Sequence, residues 1–300
     1  MNTTYDTAYG ERARQEADAA QSVRVIVHGI FGVLKYAAVF FMAFIFLFPF
    51  VWTVLGSLKT SGELLIVPIQ WLPKVPQWGN YAKIFSAMGF VRSFGNSVFV
   101  SGAVALSVVF LGSMSGFALA KYQFAGRRLI LTFILSTMMI PYFVFLMPTF
   151  YLIYRLGWVD TYLALIVPSM ITAFGIFFMR QFIEANVPDE LLDAGRIDGC
   201  SDFRLFVNIV MPLCKSAYLV LGVTTFISNW NSFLWPLIVT STEEMFTIQV
   251  LLSTLQDSYG GMRTRPLLMA GTTISIIPGL LLFLLAQKQI VQGISVTGLK

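Results

Sequence analysis

Charge is scarce in this chain. Asp, Glu, Lys and Arg make up 12% of its 300 residues, where an ordinary soluble domain carries about 25%. With 57% of the residues hydrophobic, the composition excludes a water-soluble globule and points to a polytopic membrane protein. The chain also lacks any glycine followed by lysine, so it has no P-loop, and ATP-driven work must use a separate subunit. It has one histidine, His28, and two cysteines, Cys200 and Cys214. These are too far apart in sequence to suggest a metal site, and no disulfide is expected on the cytoplasmic side of a membrane.

What is present is six runs free of Asp, Glu, Lys and Arg: Tyr36–Gly56, Ser93–Ala120, Leu129–Tyr154, Thr161–Met179, Ser216–Thr242 and Pro266–Gln287. A helix rising ~1.5 Å per residue needs roughly 20 apolar residues to cross a ~30 Å hydrocarbon core, and all six runs have about that length. They do not alternate as barrel strands would. The expected fold is therefore an all-α polytopic membrane protein with six transmembrane helices. Its expected parts are an N-terminal segment, residues 1–35, with a surface helix over residues 11–30; a six-span membrane domain, residues 36–287; and a tail, residues 288–300. The runs contain no ionisable group, which argues against proton-coupled transport and intramembrane hydrolysis. Sodium coupling through backbone carbonyls stays open, while no repeat relating the first three runs to the last three is visible.

Thirteen of the 20 Lys and Arg fall on the side that holds both termini and the second and fourth loops. The positive-inside rule makes that side cytoplasmic, and the net charge of +5 then needs no nucleic-acid partner.

The fourth loop, residues 184–215, is the polar exception. In PDELLDAGRIDGCSDFRLF (188–206), Pro188 suits the first turn of a helix, and Asp189 and Glu190 sit where the helix dipole favours acids. Leu191, Ala194 and Gly195 then form a small apolar face, with Asp193 and Arg196 on other faces, and Asp198-Gly199 ends the helix. A second helix follows and leads through Pro212 into the fifth run. A helix lying on lipid would carry Lys/Arg edges and bulky aromatics. This one is acidic, with a Leu-Ala-Gly face, and reads as a knob for a protein socket.

Asp193-Ala194-Gly195, three residues, Gly199, nine residues and Ile209-Val210-Met211-Pro212 resemble the loop motif of the permease subunits of binding-protein-dependent ABC importers. In that family the loop reads Glu-Ala-Ala, three residues, Gly, nine residues, Ile-x-Leu-Pro, so the spacing is intact with three substitutions. "PFVWTVLGSLKT", "GFALAKYQFAGRR", "WNSFLWPLIV" and "QKQIVQGISVTGLK" are similar to the carbohydrate branch, and to the smaller permease of maltose-type systems within it. The resemblance implies a chain without its own catalytic residues, cofactor or metal, one half of a heterodimer with a second permease. Two ATP-binding subunits beneath would use ATP and Mg, and an extracytoplasmic solute-binding protein would dock above. It further implies that Glu190, Leu191, Asp193, Ala194, Gly195, Arg196, Asp198, Gly199, Ile209 and Pro212 form the coupling segment seated in the ATPase, and that the C-terminal tail can reach the ATPase pair.

The fifth run is dense in polar groups. Thr224, Ser228, Asn231 and Trp235, at i, i+4, i+7 and i+11, would form one stripe, and with Asn229 and Trp230 they offer the amides, hydroxyls and flat aromatic faces that sugars bind. Hydrogen bonding between membrane helices is an equal explanation of the same residues. Pro141, Pro148, Pro168, Pro236 and Pro278 lie inside runs and allow kinks. The outer loop from Glu243 to Arg265 reads either as plain surface or as a contact for the binding protein. Lys59, Lys74, Lys83, Arg92, Arg155, Arg263 and Arg265 on the outer side are compatible with an acidic glycan, or with membrane anchoring. An ABC permease for a polyamine or phosphate, a membrane enzyme and a stand-alone carrier remain as rival readings.

Overall fold

The computed structural model describes residues 32–86, 89–258 and 264–295. The expected surface helix over residues 11–30, residues 259–263 of the Glu243–Arg265 loop and the end of the C-terminal tail lie outside the described residues. The described residues are helical and loop, without a strand, as the composition requires. The chain divides into two compact units, Met1–Leu55 and Gly56–Lys300.

In the first unit the described chain belongs to one apolar helix, α1, Gly32–Ser57, long enough to cross a bilayer. Within it, Thr53 Oγ1 donates to the Pro49 carbonyl at 2.8 Å, the local bond that lets a polar side chain sit in hydrocarbon.

The second unit is built around α3, Phe90–Lys121, after the short α2, Gly79–Ser86. The helices that follow are α4, Arg127–Met138, and α5, Tyr142–Arg155; α6, Tyr162–Ile166, with a 3-10 turn, Val167–Ser169; and α7, Ala173–Asn186. Next come α8, Asp189–Ile197, and α9, Asp202–Leu205; a π-helical turn, Phe206–Val210, and α10, Met211–Leu213. The chain continues with α11, Lys215–Trp230, α12, Leu234–Val239, α13, Ile248–Ser258, and α14, Arg265–Ser295.

Small residues let α3 and α7 meet backbone to backbone. A Cβ added at Gly116 would lie 2.7 Å from the Arg180 nitrogen, and one at Gly112 would lie 3.2 Å from the Gly175 carbonyl carbon. Close approach through glycine is how membrane helices gain packing where the hydrophobic effect offers no drive. Val104, Val108, Met179, Ile183 and Leu221 fill the interior around this crossing. A second cluster gathers Ile84, Phe90, Trp230, Ile248, Leu251 and Ala270 at the end of the bundle that carries α2 and α13.

Six spans were expected, with kinks allowed at the prolines inside them, and among the described residues the structure has up to six when each bent pair of helices is taken as one span. α1, α3 and the Arg265–Gln287 stretch of α14 are unbroken candidate spans. Three others are pairs of helices bent at a break: α4 with α5 by 102°, α6 and its 3-10 turn with α7 by 42°, and Asp202–Leu213 with α11 by 82°. Proline marks each break. Pro141 caps α5, Pro168 opens the 3-10 turn and Pro212 stands in the first turn of α10. Proline has no N–H to continue the ladder, although Val167 and Met211, which precede Pro168 and Pro212, keep helical dihedrals. The fifth run is also interrupted further on, because α11 stops at Trp230 and α12 begins only at Leu234. Half of the supposed Glu243–Arg265 surface loop is α13, whose Ile248, Val250, Leu251 and Leu255 are buried.

Candidate functional site: a seated helix and a cleft at the helix breaks

The polar segment folds as the sequence indicates, with one change of face. Val187 and Pro188 end α7 and start α8, and Asp189 and Glu190 occupy the first turn of α8. Gly199 adopts φ 76°, a left-handed conformation that glycine tolerates, and turns the chain back so that the Cys200 N–H reaches the Gly195 carbonyl at 2.9 Å. α9 then lies against α8. Leu192 and Gly195 are buried, beside the fully buried Leu205, Phe206 and Val210. A Cβ at Gly195 would lie 2.6 Å from Leu205 Cδ2 and 3.0 Å from Ile209 Cδ1.

The expected outward face of Leu191, Ala194 and Gly195 is therefore corrected. Gly195 faces inward and lets α8 sit down on α9 and the π-helical turn, with Ile209 as part of the seat. The exposed face of α8 carries Glu190, Leu191, Asp193, Ala194 and Ile197. Ile197, 87% exposed, was not among the expected residues, although it stands three positions after Ala194 and continues the same helical row. Arg196, Asp198 and Gly199 are exposed at the end of α8, and Pro212 is exposed in α10.

Polar contacts bind this seat to the end of α3. Lys121 Nζ lies 2.8 Å from Asp189 Oδ1, and the Tyr122 hydroxyl donates to Asp202 Oδ1 at 2.7 Å. Arg196 is paired with Asp193 at 2.8 Å and lies over the Tyr122 ring, 5.7 Å from its centroid. Burial first, then the bond to Asp202, pushes the Tyr122 phenol above its usual pKa, so the hydroxyl remains a donor at neutral pH.

Away from this end, three interruptions meet in one cleft of about 930 Å3. Ile140 between α4 and α5, Ile171 and Thr172 between the 3-10 turn and α7, and Ser232 and Phe233 between α11 and α12 all line it. Irregular backbone at membrane depth is tolerated where it is buried in protein or lines a watery cavity. The breaks are thus accounted for by the space between them. Ten of the 25 lining residues bear a hydroxyl, and Asn229 adds an amide.

Residues 108–296 match the family of binding-protein-dependent transport system inner membrane components. The chain belongs to that family. The permease is 35% identical over 263 residues to the arabinooligosaccharides transport system permease protein AraQ of Halalkalibacterium halodurans, covering 87% of this chain and 93% of AraQ. It is 31% identical to the lactose transport system permease protein LacG of Rhizobium radiobacter, covering 87% and 94%. Its fold is similar to that of a chain in a solved bacterial ABC transporter involved in the import of the acidic polysaccharide alginate, with a TM-score of 0.78, 23% identity and coverage of 86% and 96%. The permease is a multi-pass inner-membrane transport subunit.

Within the permease the six residues expected along the fifth run are dispersed. Ser228, Asn229 and Trp235 line the cleft. Thr224 and Asn231 are exposed and lie outside its lining, each bonded to a carbonyl four residues back, at 2.8 and 2.9 Å. Trp230 is 2% exposed in the α13 cluster, its indole N–H donating to the Ser275 carbonyl at 3.0 Å. Trp235, 7% exposed, donates likewise to Ala164 at 2.9 Å. The single stripe does not exist because Asn231 stands at the end of α11 and Trp235 belongs to the next helix. The larger part of the cleft, from α3, α5 and the α6–α7 break, was missed. Part of its signal was Pro168 and Pro236, which line it, and Pro141 between the lining Ile140 and Tyr142, each read alone.

Proposed function

We propose that this permease forms half of an alternating-access path for a carbohydrate, with a second permease supplying the other half. ATP binding and hydrolysis belong to two partner subunits that receive the exposed face of α8, and a solute-binding protein delivers the sugar on the opposite side. Both termini are cytoplasmic in this arrangement. ATP with Mg closes the ATPase pair, α8 moves with it, and the seat of α8 on α9 and the end of α3 carries the movement towards the breaks.

The observation that carries this reading is the meeting of the breaks in a cleft rich in hydroxyls, because sugar hydroxyls exchange hydrogen bonds readily with hydroxyl and amide groups. The names of the relatives, arabinooligosaccharide and lactose permeases, support the same class. The test is ATP hydrolysis and uptake by the complete transporter in proteoliposomes, with the cognate binding protein loaded in turn with oligosaccharides, polyamines and phosphate. Stimulation by an oligosaccharide is expected. Stimulation by polyamine or phosphate alone would replace the carbohydrate reading.

A further inference from the structure

The cleft has two buried hydroxyls with no partner. Ser101 Oγ and Thr247 Oγ1 belong to residues 1% and 5% exposed, make no hydrogen bond among the described residues and both line the cleft. Their positions are built rather than accidental. Asn96 Nδ2 donates to the carbonyls of Glu244 and Phe246 at 2.8 and 2.9 Å, and the Ile248 N–H donates to Ser97 Oγ at 2.8 Å. These bonds strap residues 244–248 onto α3 and hold Thr247 beside the helix, while Ser101 stands one turn beyond Ser97. A buried hydroxyl without a partner leaves the loss of its hydration uncompensated, so two of them at one cleft call for something that enters it.

The remaining lining decides the chemistry. Among the described residues the lining is hydroxyl, amide, aromatic and aliphatic, without a charged side chain. A carboxylate or phosphate moved from water into such a place loses its hydration and gains no cation from this chain in return. Lys59, one of the outer lysines that could have greeted an acidic glycan, is fully buried and donates its ammonium to the Gln70 carbonyl. Resting on the carbohydrate path proposed above, we infer that Ser101 and Thr247 are hydrogen-bonding contacts for an uncharged glycan. The permease thereby favours neutral oligosaccharides over uronate or phosphate-bearing ones.

The test is equilibrium binding to the assembled transporter in nanodiscs, without binding protein, so that selection by the latter does not enter. The probes are labelled arabino-, malto- and cello-oligosaccharides of two to five sugars, and uronate oligosaccharides of the same lengths. At least one neutral series binds and the uronates do not. Ser101→Ala and Thr247→Val each weaken neutral binding about fivefold, the loss of one net hydrogen bond. Uronates binding as well as neutral sugars would overturn the charge selectivity. Neutral binding unchanged in both variants would overturn the assignment of the two hydroxyls. In either case uptake of some carbohydrate by the complete transporter would leave the broader reading standing, whereas uptake of no carbohydrate would remove that as well.

Discussion

At the α8 end, Leu192 and Gly195 are closed over by residues of the same chain, with Leu205 and Ile209 near enough to Gly195 to fill the place of a Cβ. At the cleft, Ser101 and Thr247 are about as deeply buried and have no partner among the described residues. The first region is a completed joint. Its ion pair, tyrosine bond and packed glycine leave little room for α8 to move without α9 and the end of α3, which is what transmitting a push demands. The second region keeps interrupted backbone and unpartnered hydroxyls around a space, as a path for a transient occupant demands. One chain thus combines tight packing at the proposed receiver of motion with incomplete packing along the proposed path.

The largest expected effect comes from breaking the joint. A leucine at Gly195 would drive its first carbon to 2.6 Å from Leu205 Cδ2 and lift α8 from its seat. Overpacking of this kind is destabilising by about 1–3 kcal/mol. Gly195→Leu should lower the thermal unfolding midpoint of the complex and abolish ATP-dependent uptake. A variant with normal stability and uptake would show that α8 is not seated on α9.

Next comes the opposite face of the same helix. Ile197 touches little of its own chain, so Ile197→Asp should leave unfolding of the isolated permease unchanged. Burying a new carboxylate in a partner's socket should weaken co-purification of the ATP-binding subunits at least tenfold, a hot-spot loss of about 2 kcal/mol. Unchanged association would place the ATPase contact elsewhere on the loop. The pair of variants separates seat from docking face: one breaks the fold, the other the contact.

Sequence alone distinguished the two regions unevenly. The spans and the α8 segment were legible because length, absence of charge, the Pro188 start and the Gly199 stop are local signals. The direction of α8 was not, since Leu191 with Ala194 and Leu192 with Gly195 both fit helical spacing. Only Leu205 and Ile209, brought back by the turn at Gly199, decide which pair is inside. The cleft was less legible still. Ser97 and Ser101 on α3, Thr137 on α4, Thr172 just before α7 and Ser228 on α11 are far apart in sequence, and each alone is an ordinary small residue of a membrane protein. The interruption after Trp230 has no proline of its own within Asn231-Ser232-Phe233, so its periodic polar residues mimicked one continuous stripe.

The smallest expected effect tests whether the joint depends on its polar contacts or on its packing. Tyr122→Phe removes the 2.7 Å bond to Asp202 but keeps the ring beneath Arg196. The expected loss is about 1 kcal/mol of stability, with uptake reduced less than in Gly195→Leu. The pH dependence carries the sign of a raised phenol. Because the folded pKa lies above the ordinary 10.0, the bond's contribution is complete below about pH 10 and is lost only as pH rises through the higher folded value. The difference in unfolding midpoint between wild type and Tyr122→Phe should accordingly be constant from pH 6 to 9 and shrink above pH 10. A difference that already varied near neutrality would point to another titrating group in the joint, and would move the weight of coupling from the Gly195 seat to its polar rim.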